Sequence, residues 1–242
     1  MSRLTHECRA SVAVLNGFLA PYIGGGQLSL LFEHVPISAD THSNSVPELA
    51  VRDLRTGNTR TISARYFIDA TELGDLLPLC QAEYVTGAEA QSPTGELHAG
   101  PTAQPANSQS FTFCFAMEYL TGEDHTIDRP EDYQRWRDYV PTLTPPWTGR
   151  LLSWTVCDPR SLAPRKAFFD PAPSGPAQQG LNLWTYRRLA DPSNFTPGAY
   201  KGGITLVNWP QNDYWLGDLI TADPSQRAEL ILQAKNLSFS FL

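Results

Sequence analysis

The chain has 242 residues, enough for one large domain or two small ones, and its hydrophobic fraction of 41% is that of an ordinary folded protein. A net charge of −7 with no basic block leaves nucleic-acid binding without electrostatic support. No apolar run reaches the roughly 18 residues that a membrane-spanning helix needs.

Along the chain, residues 4–21 carry Leu4, Cys8, Val12, Leu15 and Leu19 at helical spacing, with Pro21 as the stop. The stretch has a superficial likeness to a signal peptide, but Glu7 and Arg9 interrupt it, and an amphipathic helix is the preferred reading. Gly24, Gly25 and Gly26 follow. A dinucleotide-binding loop needs a strand before it and a helix after it. Here a helix precedes and "QLSLLFEHV", a strand pattern over 28–34, follows, so the glycines read as a turn. Residues 35–39 continue that strand or pair with it. "PELAVRDL" alternates sides, "TGN" turns at Gly57, and "TRTISARYFIDA" returns, which makes a small β-meander over 35–65. At Tyr66 the alternation gives way to a continuous apolar "YFI", the pattern of a strand entering a buried sheet.

The stretch "FIDATELGDLLPL", residues 67–79, then ends an apolar run in Asp-Ala-Thr and opens another with Gly-Asp. Thr71 offers a hydroxyl, Gly74 permits positive φ or close backbone approach, and Asp75 is placed to cap a helix at "LLPLC". A strand end beside a helix start suits a polar ligand. It is also a common turn, and the residues by themselves leave the two readings level.

Residues 86–109 are rich in Ala, Gly, Pro, Ser and Gln and read as an irregular excursion. "SFTFCFAMEY" is a strand, "RPEDYQRWRDYV" a short helix, and 141–180 a Pro- and Gly-rich region with a strand near "LLSWTV". "LNLWTYRRL" and "GITLVNW" are further strands, and a helix runs from Ser225. It meets the end of the chain with Phe239, Phe241 and Leu242 still apolar and without a stop signal, so the end is expected to be cut.

Cys8, Cys80, Cys114 and Cys157 lie far apart, with no CxxC and no Cys/His cluster, so no metal site is expected and a reduced, cytoplasmic protein is the simplest account. His98 and His125 are loop histidines, more often bystanders than bases. Arg187 and Arg188 could anchor a carboxylate, but strand alternation lets at most one face a pocket. "NWPQNDYW", residues 208–215, sets aromatic faces beside amides, which suits a sugar ring; a tight hydrogen-bonded turn is preferred. Asp128, Glu131 and Asp132 read as helix-start acids.

The segment "ARYFIDATELGDLLPLCQAEYVTGAEAQ" resembles the strand, Ala-Thr turn and Gly-Asp helix start of FAD-dependent oxidoreductases with a glutathione-reductase-like flavin domain. With "HTIDRPEDYQRWRDYVP", "LLSW", "LNLWTYRR" and "ITLVNWPQNDYW" in this order, the chain is similar over residues 5–242 to a bacterial, xanthan-lyase-like group of that family. The resemblance implies an α/β fold, α+β in the second half. It implies an incomplete Rossmann-like FAD-binding domain at 1–83 interrupted by the meander, an antiparallel-sheet substrate domain at 84–224 covering the flavin, and at 225–242 the start of a helix returning to the FAD domain. It implies FAD as cofactor, with the backbone near Val35 at the adenine and Ala70, Thr71, Glu72, Gly74 and Asp75 beside the cofactor. The wider superfamily has Gly where this chain has Glu72, which puts a close-approach role there in doubt.

Neither a GxGxxG pyrophosphate loop nor the family's second Gly-Asp flavin segment is found, so the resemblance implies an internal piece of a flavoenzyme, inactive by itself. The expected function is flavin-mediated redox of an unknown small or carbohydrate-related substrate, with neither a nucleic-acid nor a membrane partner. Two alternatives stay open: a non-catalytic carbohydrate-binding module, and a polysaccharide lyase, for which no base-and-neutraliser constellation stands out.

Overall fold

The computed structural model describes residues 5–144, 146–147, 149–172 and 179–242. Leu4 of the first expected helix and residues 173–178 of the Pro- and Gly-rich region lie outside the described residues. The chain forms two compact units, Gly17–Ser108 and Met1–Asn16 with Gln109–Leu242. The boundary falls inside the first helix, α1 (Cys8–Gly24).

Helix α1 does not stop at Pro21. Proline removes one backbone donor, yet the next turn closes because the Gly25 N–H still reaches the Pro21 carbonyl at 3.0 Å. The end comes with the glycines: Gly26 donates to the Ile23 carbonyl, and Gln27 and Leu28 both donate to that of Tyr22. The triplet is therefore a helix C-terminus, as its context predicts. These bonds turn the chain away, and the strand expected at 28–34 begins only at His34.

The meander of the first unit forms as expected. Strands β1 (His34–His42), β2 (Ser45–Asp53) and β3 (Thr59–Ser63) make an antiparallel sheet in that order. Leu49 and Val51, two apart, share its buried face. Single helical turns α2 (Leu76–Leu79) and α3 (Gln91–Thr94) follow, and the 86–109 excursion is tied by bridges from Ala88 to Gln104 and from Ala90 to Gly100 and by the Thr86 hydroxyl donating to the Pro105 carbonyl at 3.3 Å.

The buried strand expected from Tyr66 is not formed. Residues 65–70 join no sheet, and Tyr66 and Ile68 stand 87% and 88% exposed. Continuous apolarity marks a strand with neighbours on both sides, and among the described residues β3 ends before the segment and no strand takes its place beside it. No parallel sheet with helical crossovers appears among the described residues. Several small antiparallel sheets with scattered helices make the fold α+β.

In the second unit the elements run β4 (Phe111–Thr112), β5 (Phe115–Tyr119), α4 (Tyr133–Asp138), β6 (Thr155–Cys157), β7 (Pro164–Phe168), β8 (Leu181–Asn182), α5 (Leu183–Tyr186), β9 (Arg188–Ala190), β10 (Gly203–Val207), β11 (Asp213–Tyr214) and α6 (Pro224–Phe241). The single strand expected at 110–119 is two. Strand β4 pairs with β11 and β5 with β10. The break has a cause: the Phe113 carbonyl accepts from the Ser238 hydroxyl at 2.8 Å and from the Asn212 amide at 3.5 Å, so it is diverted from the ladder. The strand expected over "LNLWTYRRL" is likewise interrupted. Asn182 Oδ1 accepts from the Trp184 N–H at 3.0 Å and caps α5, which buries Leu183 and Trp184. Strands β6, β7 and β8 form a third sheet in which the last pair is parallel.

Two apolar clusters fill this unit. Trp136, Leu151, Tyr214, Ala234 and Leu237 make one; Val156, Ala167, Leu183, Val207 and Trp209 make the other. Helix α6 serves both. Leu237 belongs to the first, Phe241 packs on the second, and the Phe239 ring meets those of Phe113 and Phe115. Phe239 and Phe241 thus pack on the core, while Leu242 stands exposed. Among the described residues, no helix is long and apolar enough to cross a membrane.

Candidate functional site

The Asp69–Asp75 turn is organised by a residue that the sequence reading did not select. Asp69 Oδ1 accepts from the Thr71 N–H at 2.8 Å and the Thr71 hydroxyl at 2.7 Å, while Oδ2 accepts from the Leu76 N–H at 2.9 Å. The Thr71 hydroxyl in turn accepts from the Asp75 N–H at 2.7 Å. Asp75 itself has helical backbone angles and makes no capping bond, so the start of α2 is held by Asp69 across seven residues and not by its immediate neighbour. These bonds, first the N–H and then the hydroxyl of Thr71, hold the Asp69 carboxyl below the usual aspartate range. The signal was available: Asp followed two residues on by Thr is a self-bonding turn pattern.

Gly74 has φ +69, and a Cβ there would meet Leu77 Cδ1 at 3.0 Å. The conformational freedom read from the sequence at this glycine is used. Ala70 and Glu72 are exposed. Val35 lies in β1, opposite Arg52, and α2 packs against that strand. A cavity of about 510 Å³ adjoins the turn, lined by Val46, Pro47, Phe67, Asp69 and Leu77 among others. Asp69 is the turn residue that reaches it; Val35, Ala70, Thr71, Glu72, Gly74 and Asp75 do not line it.

A dinucleotide needs backbone N–H groups for its phosphates, and a long helix supplies them at its N-terminus. The two long helices have theirs taken. Glu7 Oε2 accepts from the Ala10 N–H at 2.9 Å at the start of α1. Asp223 Oδ1 accepts from the N–H groups of Ser225 and Gln226 at 2.8 and 2.9 Å at the start of α6. Gly24 to Gly26 sit at a C-terminus, where the partial charge is negative. Among the described residues the starts of both long helices are thus occupied by the chain's own carboxylates, while the short α4 starts without a side-chain cap.

The remaining sequence candidates separate cleanly. His98 is exposed in its loop, and His125 is exposed and bonded to Glu123 at 2.7 Å. Arg188 is committed to Asp191 at 3.0 Å. Arg187 stands over the Tyr186 ring at 5.2 Å, and its Nε is buried without a partner. Asp132 occupies the residue before α4 but makes no capping bond. In 208–215 the preferred turn is found. Asn212 Oδ1 accepts from the Trp209 N–H, its amide donates to Ser238 at 3.1 Å, Gln211 donates to the Ser153 carbonyl at 3.0 Å, and Tyr214 donates to Gln233 at 2.6 Å. Those amides of Gln211 and Asn212 hold the fold.

A polar cluster escaped the sequence reading. The Thr112 hydroxyl donates to Asp213 at 2.5 Å between paired strands, and the charge of Arg187 acts on both Asp213 and Cys114. Burial pushes the Asp213 carboxyl and the Cys114 thiol up; the Thr112 bond and Arg187 offset part of the aspartate shift, and Arg187 part of the thiol's. These residues run from Thr112 to Asp213, 101 positions apart, which is why no local motif marks them.

The family described as FAD dependent oxidoreductase matches residues 2–241. No curated protein and no solved structure matches the chain. The match covers almost the whole sequence, and the chain belongs to the FAD-dependent oxidoreductase family, whose cofactor is FAD.

Proposed function

We propose that this FAD-dependent oxidoreductase family member takes part in flavin-mediated redox of a small substrate, carbohydrate-related ones included, and that its Asp69–Asp75 turn lies against the cofactor. FAD, when bound, supplies the electron transfer; the protein contributes position and exclusion of water. The observation that carries the reading is the family match over residues 2–241. It is supported by a turn that is rigid and small at once. Asp69 locks Thr71 and the start of α2, and Gly74 keeps the backbone open to close approach.

In this reading the backbone at Val35 meets the adenine, and Ala70, Thr71, Glu72, Gly74 and Asp75 line one edge of the cofactor. Residues 1–83 form the cofactor side and 84–224 the substrate side. Thr71, which already donates to Asp69 and accepts from Asp75, keeps one lone pair for a ligand donor. On the substrate side Arg187 makes no ion pair among the described residues and its Nε is buried without a partner, and it would orient an anionic group. The test is amide hydrogen exchange with and without FAD. Protection of residues 70–76 beyond that of the 86–109 excursion is expected. Unchanged exchange at the turn, with protection elsewhere, would remove it from the cofactor site.

A further inference from the structure

A cavity of about 190 Å³ lies within the Gln109–Leu242 unit, and regular elements build it. Phe115 of β5 and Val207 of β10 are partners in register, and Met117, two residues on, shares the side of the strand that Phe115 takes. Trp209, just past β10, is fixed by its N–H on Asn212 Oδ1 at 2.9 Å. Phe241 comes from α6, and its ring meets those of Trp154 and Trp209 at 5.9 and 5.4 Å. Val207 and Trp209 are buried, while Trp154 is 49% exposed and marks the side open to solvent.

The lining decides what can occupy this space. No lining side chain among the described residues carries a charge, a hydroxyl or an amide. The polar N–H groups are those of two indoles. That of Trp209 is buried beyond a ligand's reach, and the other belongs to the half-exposed Trp154. Water stays in a cavity only where it finds about two to four polar partners, so this one is dry. A ligand hydroxyl taken inside would give up its water and gain no partner. An apolar cavity of roughly 150 Å³ takes up benzene, so this one has room for a ring with a carbon substituent. The unbranched Met117 side chain can adjust to the shape that enters.

We infer that this cavity is a binding site for a single small apolar ring without hydrogen-bonding groups, of the alkylbenzene class, entering beside Trp154 and lying against Phe115, Val207 and Trp209. A sugar is excluded by the same lining, since each of its hydroxyls would be stranded.

The probe is toluene, titrated into the intact chain without flavin and followed by calorimetry, beside p-cresol, the same ring with one hydroxyl added, and glucose. Saturable one-site binding of toluene is expected, with p-cresol about tenfold weaker, the cost of one stranded hydroxyl, and no response to glucose. Met117→Trp should fill the space and abolish toluene binding. Should that variant fail to fold, Trp154→Ala decides. Its position is half exposed, and loss of that wall should weaken toluene by about fivefold or more. Absence of saturation by toluene, p-cresol binding as tightly as toluene, or undiminished toluene binding by folded Met117→Trp or by Trp154→Ala would each overturn the assignment.

Discussion

Asp69 and Asp213 are carboxylates pushed in opposite directions, and their signs give opposite pH behaviour. The Asp69 pKa is lowered by the bonds it accepts. Its contribution is therefore present above the unfolded value, about 3.9, and lost as pH falls through the lower folded value. Amide exchange at Thr71 and Leu76 should be slow near neutrality and accelerate, against the intrinsic rate, in acid below about pH 4. Asp69→Ala should exchange fast at every pH. The Asp213 pKa is raised, chiefly by burial. Ionising it costs stability, so its penalty appears as pH rises above about 3.9 and is complete above the raised folded value. Asp213→Asn keeps an acceptor for Thr112 and removes the charge. Urea unfolding should show the variant gaining on the native chain between pH 4 and pH 7, both about those values. Parallel stability profiles would refute the burial account. That Asp69 rather than Asp75 caps α2 could have been read from the Asp-Ala-Thr spacing. The Asp213 environment could not, because its partner Thr112 arrives from a strand 101 positions away.

At the scale of elements, the helices with capping chemistry in the sequence were legible. Asp223 and Gln226 form a capping box with Pro224 in the first turn, and α6 starts where the pattern changes. Asp223→Ala should cost about 1 kcal/mol in thermal or urea unfolding, the usual worth of such a cap. The meander was legible for the same reason: its turn and its period-2 face, with Leu49 and Val51, are local. What was not legible were the breaks. "SFTFCFAMEY" has strand propensity throughout, but Ser238 and Asn212 draw the Phe113 carbonyl out of the sheet, and neither neighbour is near in sequence. "LNLWTYRRL" alternates less well than it promises β structure, and the Asn182 cap converts its middle into a helical turn. In both cases a side chain competes with the ladder for one backbone group and wins.

For the whole molecule, the two halves of the sequence differ in how they bury apolar surface. The core residues gather mainly in the Gln109–Leu242 unit, around Trp136, Trp184, Trp209 and Tyr214. In the Gly17–Ser108 unit Phe18, Phe32, Tyr66, Ile68 and Leu97 stand exposed, and α1 buries none of its residues. The sequence signal of a buried strand at 66–70 is therefore real as a pattern and unused as packing among the described residues. Membership of the family fixes FAD as the cofactor, while the starts of the two long helices are occupied by Glu7 and Asp223. The direct measurement is to titrate the purified chain with FAD and with riboflavin, which lacks the diphosphate and adenosine, and to repeat both with Gly74→Val. The account predicts that the two flavins bind within about tenfold of each other, the phosphates finding neither long helix start free, and that Gly74→Val, strained at φ +69 and crowded against Leu77, weakens both. FAD binding more than about a thousandfold tighter than riboflavin, undisturbed by Gly74→Val, would contradict both the occupied helix starts and the role of the turn.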